Sequence, residues 1–388
     1  MRPLVCLAPA PWNGPWNGRN QLLSRLAERG WPVIYSNGPL DLWERNGKGW
    51  ADASWLHATD LNDGVVVDRP GKLFSTYAKS PTWSSAMQKL HAAHLMHQMH
   101  RVAPGDAVTV VFHPLYAHYV QLLNTGRSAY FAYDLFSKTA LWSDALAEAE
   151  TWLVRNCDLV VAVSSATART ISMGSNRPIE ILSNGVDAEA FIAGATGPVP
   201  ADLADIPHPR IGYIGRMTPK VDFRLIAEVA RRKPDWHWVL VGPVLLDGSV
   251  DASDTARTKE DHAACRSLPN IHFLGLKHHT ELPQYAAYMD VNTMCYRAEG
   301  GWWVAGSPLK LYEYLAAGKP IVGAPLEEIL KFDHLVAIAR DPGEWVEAIT
   351  HALEQGGIDT MQQRHEAARQ NSWGNRTDEL LSWLSAIR

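Results

Sequence analysis

Ser307, Lys310 and Glu313 recur every third residue in Ser307-Pro308-Leu309-Lys310-Leu311-Tyr312-Glu313, a run that closes on Ala317-Gly318-Lys319-Pro320. Such spacing places neighbouring side chains along one stretch of helix surface. Both helix ends are written in. Ser307 is expected to cap, Pro308 to take the first helical position, and Gly318 to stop the helix in a left-handed turn. Lys319-Pro320 prevents continuation, and Ile321-Val322 reads as a strand. Leu309, Tyr312, Leu315 and Ala316 would share an apolar face. Lys310 is the anomaly, because a cation in the first turn opposes the helix dipole at a cost of about 0.3–1 kcal/mol. An anion such as a phosphate at the same helix end reverses that cost. Glu313 would then hold hydroxyls of the molecule that carries the phosphate. The alternative is a solvated Lys–Glu pair on an ordinary helix.

A second cationic group lies about ninety residues upstream. Arg210-Ile211-Gly212-Tyr213-Ile214 reads as a strand and runs into Gly215-Arg216, with Lys220 four residues on and a helix over 223–232. Glycine admits close backbone approach, and Arg216 with Lys220 supplies charge-assisted donors for a diphosphate. In the first half, two polar residues stand where open α/β sheets place ligand groups, just past strand ends. His113 follows the strand at 107–112, and Asp134 follows the strand at 128–133. Asp134 is the sharper candidate to face a ligand and His113 the second; as the alternative, either caps a turn. Gly18 and Arg19 end a glycine-bearing loop after the first strand, a ligand-lining position or a glycine turn with a surface arginine. That loop lacks Gly-x-Gly-x-x-Gly, so a nicotinamide site is unsupported. His91, His94, His97 and His100 recur every third residue on a helix over 83–101. A spacing of three drifts around a 3.6-residue helix, so all four cannot grip one metal, and they are assigned to a polar surface or an acceptor-facing edge. Leu90, Ala93, Met96 and Met99 are expected to face the core.

Ser307–Pro320 with Ile321-Val322-Gly323-Ala324-Pro325, together with Gly-Arg-x-x-x-Lys at 215–220, resembles the nucleotide-sugar site of GT-B glycosyltransferases. More narrowly, it resembles the bacterial polysaccharide-assembly enzymes typified by the teichuronic acid and xanthan glycosyltransferases. Asn184-Gly185-Val186-Asp187 is similar to the signature that ends the first domain in that family. The resemblance implies that Gly215, Arg216, Lys220, Ser307 and Lys310 meet the donor diphosphate, that Glu313 meets the ribose, and that Asp134 is the base. A second glutamate common eight residues upstream of Glu313 is replaced here by Ala305. The implied donor is a UDP- or GDP-sugar, with no cofactor and no metal. The implied acceptor is a saccharide, most plausibly lipid-linked, reached by a hexosyltransferase in the cytoplasm or peripherally at the inner membrane face. If Asp134 deprotonates the acceptor, the anomeric centre inverts. Two rivals share the donor motif: a nucleotide-sugar 2-epimerase, which needs no acceptor, and a non-catalytic nucleotide-sugar-binding module.

The elements that must position these residues alternate strand and helix from the start, which predicts an α/β protein of two Rossmann-like domains facing across a cleft. Residues 1–192 would bind acceptor, 193–209 form a Gly/Pro/Ala-rich linker, and 210–372 bind donor. A helix over 373–388 would pack back at the junction. Residues 244–264 read as a polar insertion, and 297–306 as a flexible loop able to close over a donor sugar. The chain of 388 residues is 46% hydrophobic with a net charge of −5, too acidic to argue for nucleic acid. Four scattered cysteines give neither a disulfide framework nor a zinc motif. The first residues are too short an apolar run for a signal peptide and read as a buried strand.

Overall fold

A computed structural model describes residues 2–387 apart from 15, 140, 173–174 and 248–251. The chain divides into two compact units, Met1–Asp134 with Trp142–Leu182 and Arg376–Arg388, and Leu135–Leu141 with Ser183–Asn375.

The first unit holds β1 (Leu4–Leu7), β2 (Val33–Ser36), β3 (Ala58–Asn62), β4 (Val65–Arg69), β5 (Val108–Val111), β6 (Ser128–Ala132), β7 (Leu159–Ala162) and β8 (Glu180–Ile181). Their order is β3-β4-β2-β1-β5-β6-β7-β8. Runs such as Leu-Val-Cys-Leu and Val-Thr-Val-Val are buried along their whole length, as parallel strands covered on both faces must be. The chain builds outward from β1 on one side, then returns to add β5 on the other. The reversal sits between β1 and β5, the point at which open α/β sheets bind ligands. Only β3 runs antiparallel, joined to β4 through Asp63 and Gly64 at positive φ. Its sequence is polar and partly exposed, so no apolar run announces it.

The helix Pro81–Val102 buries Met87, His91, Ala92, Leu95 and Met99. Leu90, by contrast, is 48% exposed and Ala93 is also at the surface, so the expected core face is turned. The cause is Asp68 on β4, a buried carboxylate whose Oδ2 lies 2.7 Å from His91 Nε2. His91 takes the inward position because an unpaired buried carboxylate is costly. Leu380 and Leu384 of the last helix, Trp373–Ala386, line one apolar space with Leu4, Leu23 and Leu26 of the first unit.

The second unit holds β9 (Arg210–Ile214), β10 (His237–Val241), β11 (Ile271–Gly275), β12 (Val291–Met294), β13 (Ile321–Gly323) and β14 (Ala337–Ile338), all parallel, in the order β11-β10-β9-β12-β13-β14. The same reversal falls between β9 and β12. Residues 193–209 are no loose linker. They carry a short helix, Ala201–Ala204, with Leu203 fully buried, and belong with Ser183 onward to this unit. Their small residues serve close packing: a Cβ on Gly194 would lie 2.5 Å from the Pro283 carbonyl oxygen. The presumed polar insertion includes the crossover helix Ala252–Arg266 between β10 and β11, polar because its outer face is solvated; the rest of it lies partly outside the described residues. All four cysteines are free and buried. Among the described residues no helix is long and apolar enough to cross a membrane.

Candidate active site

In the second unit β9 ends at Ile214, and Gly215 follows at φ +126°, a conformation that side chains with a Cβ rarely adopt. Its second reason to be glycine is Lys310. A Cβ on Gly215 would lie 2.3 Å from Lys310 Nζ, so the ammonium group sits where the side chain would be. Lys310 is only 7% exposed, and its Nζ stands 4.7 Å over the Tyr213 ring. The solvated-pair reading is therefore excluded for Lys310. Burial lowers its pKa to about 8, Glu313 opposes the drop, and Arg216 adds to it. Glu313 is half-buried, and burial raises its pKa against the pull of Lys310.

The helix that carries both residues runs from Leu309 to Ala317 and stops at Gly318 with φ +73°. Ser307 does not cap it. Pro308 holds the cap position without a side-chain hydrogen bond, one residue earlier than expected of it. Ser307 Oγ instead accepts the Asn184 N–H at 3.2 Å, while Asn184 Nδ2 donates to the Ser307 carbonyl at 2.6 Å. Asn184 thus fixes the chain entering the helix, a role that its Asn-Gly turn chemistry did not reveal. From within the helix, Tyr314 accepts the Ile214 N–H at 2.7 Å and locks it to β9.

Between Gly215 and the helix Phe223–Arg232 the chain is held on both sides. Met217 N–H donates to the Pro243 carbonyl, and Arg297 N–H to that of Lys220, at 2.9 and 2.8 Å. Arg216 is exposed. Lys220 Nζ lies 5.4 Å from the Tyr296 ring centre and 5.6 Å from that of Trp302. Part of residues 297–306, expected to be a flexible loop able to close over a donor sugar, is held by contacts. Trp302–Ala305 forms a helical turn, Arg297 pairs with Asp254 at 2.7 Å, and Trp303 Nε1 donates to the Arg297 carbonyl. Ala305, at the position of the missing glutamate, is buried.

In the first unit the corresponding sheet end carries the remaining candidates. Asn17 caps the helix Gly18–Glu28, making Gly18 its first residue. Arg19 is not on the surface. It is 5% exposed, its guanidinium carbon lies 5.5 and 5.7 Å from the Tyr35 and Tyr133 rings, and Nε and Nη2 have no hydrogen-bond partner. Asp134 comes one residue after Tyr133, half-buried, past the end of β6. His113, past β5, is a cap: its Nδ1 accepts the Leu115 N–H at 3.1 Å. Burial lowers its pKa to about 4, so it is neutral at physiological pH and Nε2 carries its proton. The structure therefore gathers Arg19, His113 and Asp134 at the carboxyl ends of β1, β5 and β6, and Gly215, Arg216, Lys220, Ser307, Lys310 and Glu313 within the second unit. Tyr213, Tyr296 and Trp302, the aromatic walls around the cations, escape motif reading; a tyrosine near a strand end is the one signal they give.

Two sheets, parallel apart from β3 and each reversing its strand order about its first strand, have the GT-B architecture. The HepE protein of Anabaena, solved in complex with UDP and glucose, matches it with a TM-score of 0.71 at 16% identity over 100% of both chains. An α,α-trehalose-phosphate synthase (UDP-forming) from Burkholderia xenovorans, in complex with glucose-6-phosphate, gives 0.69 at 14% over 99% of this chain and 100% of that one. Residues 208–355, which hold the cation cluster, match the family model "Glycosyl transferases group 1". The "Putative teichuronic acid biosynthesis glycosyltransferase TuaH" of Bacillus subtilis (strain 168) is 29% identical over 233 residues, 58% of this chain and 56% of that protein.

Proposed function

We propose that the chain is a glycosyltransferase that moves a hexose from a nucleoside-diphosphate sugar, most simply a UDP-sugar, to a saccharide acceptor. The observation that carries the reading is Lys310, a buried cation seated in the missing side chain of Gly215. Burying a lysine costs free energy that an anionic ligand offsets. Arg216 and Lys220, on the loop after the same glycine, supply two further charges. Together the three stabilise the diphosphate as it leaves, a task for which they need no metal. Glu313 accepts from the ribose hydroxyls. UDP in the HepE structure and the name of TuaH support this class of donor and product.

The first unit supplies the acceptor chemistry. Asp134 takes the acceptor proton, an effect of about 10²–10⁴-fold. Neutral His113 donates through Nε2, and Arg19 binds an acceptor anion. A lipid-linked acceptor reached from the inner membrane face agrees with exposed Trp43, Trp55 and Leu56, and with Lys79 and Lys72 standing over Trp43 and Trp55.

Incubation with labelled UDP-sugars, with and without lipid-linked saccharides, tests the reading. Transfer that depends on acceptor supports it. Release of free monosaccharide and UDP without acceptor would make the protein an epimerase, and UDP binding without any turnover a sugar-nucleotide-binding module.

A further inference from the structure

Outside the sites described above, the first unit brings together three ligand-type atoms that are buried without a hydrogen-bond partner: Asp68 Oδ1, His57 Nε2 and His94 Nε2. The three residues offer one ligand atom each within 4.8 Å of one another. We propose that His57, Asp68 and His94 bind one divalent transition-metal ion, with Zn²⁺ the best match to a two-imidazole, one-carboxylate donor set.

Asp68 is the anchor. Its side chain is fully buried on β4, and only Oδ2 is satisfied, by Ser36 Oγ at 2.6 Å and His91 Nε2 at 2.7 Å. His91 in turn meets the Tyr119 hydroxyl through Nδ1 at 2.7 Å. This is the outer shell that a ligating carboxylate needs to stay oriented and basic. Oδ1 accepts no full hydrogen bond in the interior and faces a long ion pair with His94, a lack that a cation would answer. His94 Nε2 stands 3.5 Å from Oδ1. Two ligands of a tetrahedral Zn²⁺ with bonds near 2.1 Å are about 3.4 Å apart, so this edge is already at coordination spacing.

His57 completes the set from the loop before β3. The loop is held by backbone: Lys72 N–H donates to the Ser54 carbonyl at 2.9 Å, and Leu73 N–H to that of Trp55 at 3.1 Å. Gly71 makes this approach possible, since a Cβ there would meet the Leu56 carbonyl carbon at 2.4 Å. The His57 ring lies against Phe74 and stacks on His94 at 4.5 Å. To aim Nε2 at the ion the ring must turn and close by roughly 1 Å. That movement gives up the long 3.3 Å contact from Gly71 N–H to Nδ1. The ion would clip the segment carrying Trp55 and Leu56 to the edge of the sheet; no catalytic role is assigned to it.

Full-length protein stripped with chelator is titrated with Zn²⁺ by calorimetry, and separately with Co²⁺, whose visible absorption reports four-coordination. Wild type is expected to bind one equivalent, to show the tetrahedral Co²⁺ spectrum and to gain thermal stability. His57→Gln and His94→Gln, with folding checked by circular dichroism, should each lose more than the roughly 100-fold upper end of outer-shell effects, and Ser36→Ala about tenfold. Affinity for UDP, whose residues lie in the second unit, should be the same with and without Zn²⁺. No saturable Zn²⁺ binding by wild type, or equal binding by both histidine variants, overturns the site. If one variant fails to fold, the other decides.

Discussion

Each unit presents a buried cation over tyrosine at its sheet end, but the two cations differ in kind. Arg19, over Tyr35 and Tyr133, carries a planar guanidinium whose donors have a fixed fork geometry. Lys310, over Tyr213, has a pKa lowered to about 8 by burial and is therefore close to releasing its proton. Their supports differ too. Lys310 is seated by the backbone, in space that only a glycine at 215 leaves free. Arg19 is walled by side chains at the N-terminal end of a helix. A point charge held this way suits a diphosphate, and a fixed planar cation suits an anion whose position must be defined. On the proposed reading one unit binds the donor and the other carries the acceptor chemistry, and that division can be broken.

The largest expected effect is on turnover. Asp134→Asn keeps the shape and removes the base, so turnover should fall at least about a hundredfold with donor affinity unchanged. Wild-type turnover would end the base assignment, and a product with the donor's anomeric configuration would end inversion.

Next, Gly215→Ala forces a Cβ onto Lys310 Nζ and strains the backbone at φ +126°. Thermal denaturation should show a loss of about 1–3 kcal/mol. UDP affinity should fall as well, while acceptor KM extrapolated to saturating donor stays constant. A variant with native UDP affinity would separate Lys310 from the diphosphate.

Arg19→Ala should act on the other side, raising acceptor KM about tenfold, the size of one charged hydrogen bond, and leaving UDP affinity alone. A drop in UDP affinity would assign Arg19 to the donor.

The smallest effect is pH dependence. A bound diphosphate favours the charged form of Lys310 and so raises its pKa above 8. Donor affinity is then full below about pH 8 and falls above it, by at most tenfold per unit for one proton. Calorimetry at pH 7, 8 and 9 should show that fall in wild type and a flat profile in Lys310→Ala. A flat wild-type profile would mean that Lys310 is not titrating in the site.

The two sites also differ in how far the sequence disclosed them. Lys310, Glu313, Gly215, Arg216 and Lys220 sit in short contiguous runs whose spacing carries the chemistry, and both strand–loop–helix frames were legible. Asp134, His113 and Arg19 are singletons; only the strand ends before or near them marked the positions, and the burial of Arg19 could not be read at all. Long-range partners stayed hidden for the same reason. Ser307 reads as a cap locally, yet its hydroxyl is taken by Asn184, 123 residues away. His91 reads as surface, yet Asp68 draws it inward across 23 residues. The Gly/Pro/Ala stretch at 193–209 looks like a linker because composition records small residues, not the surfaces they press against.

If Lys310 holds the donor diphosphate, UDP titrated calorimetrically into wild type and Lys310→Ala must report it. The variant should lose about 1.5–3 kcal/mol of UDP binding, roughly ten- to hundredfold in Kd. Equal affinity in the two proteins would contradict it.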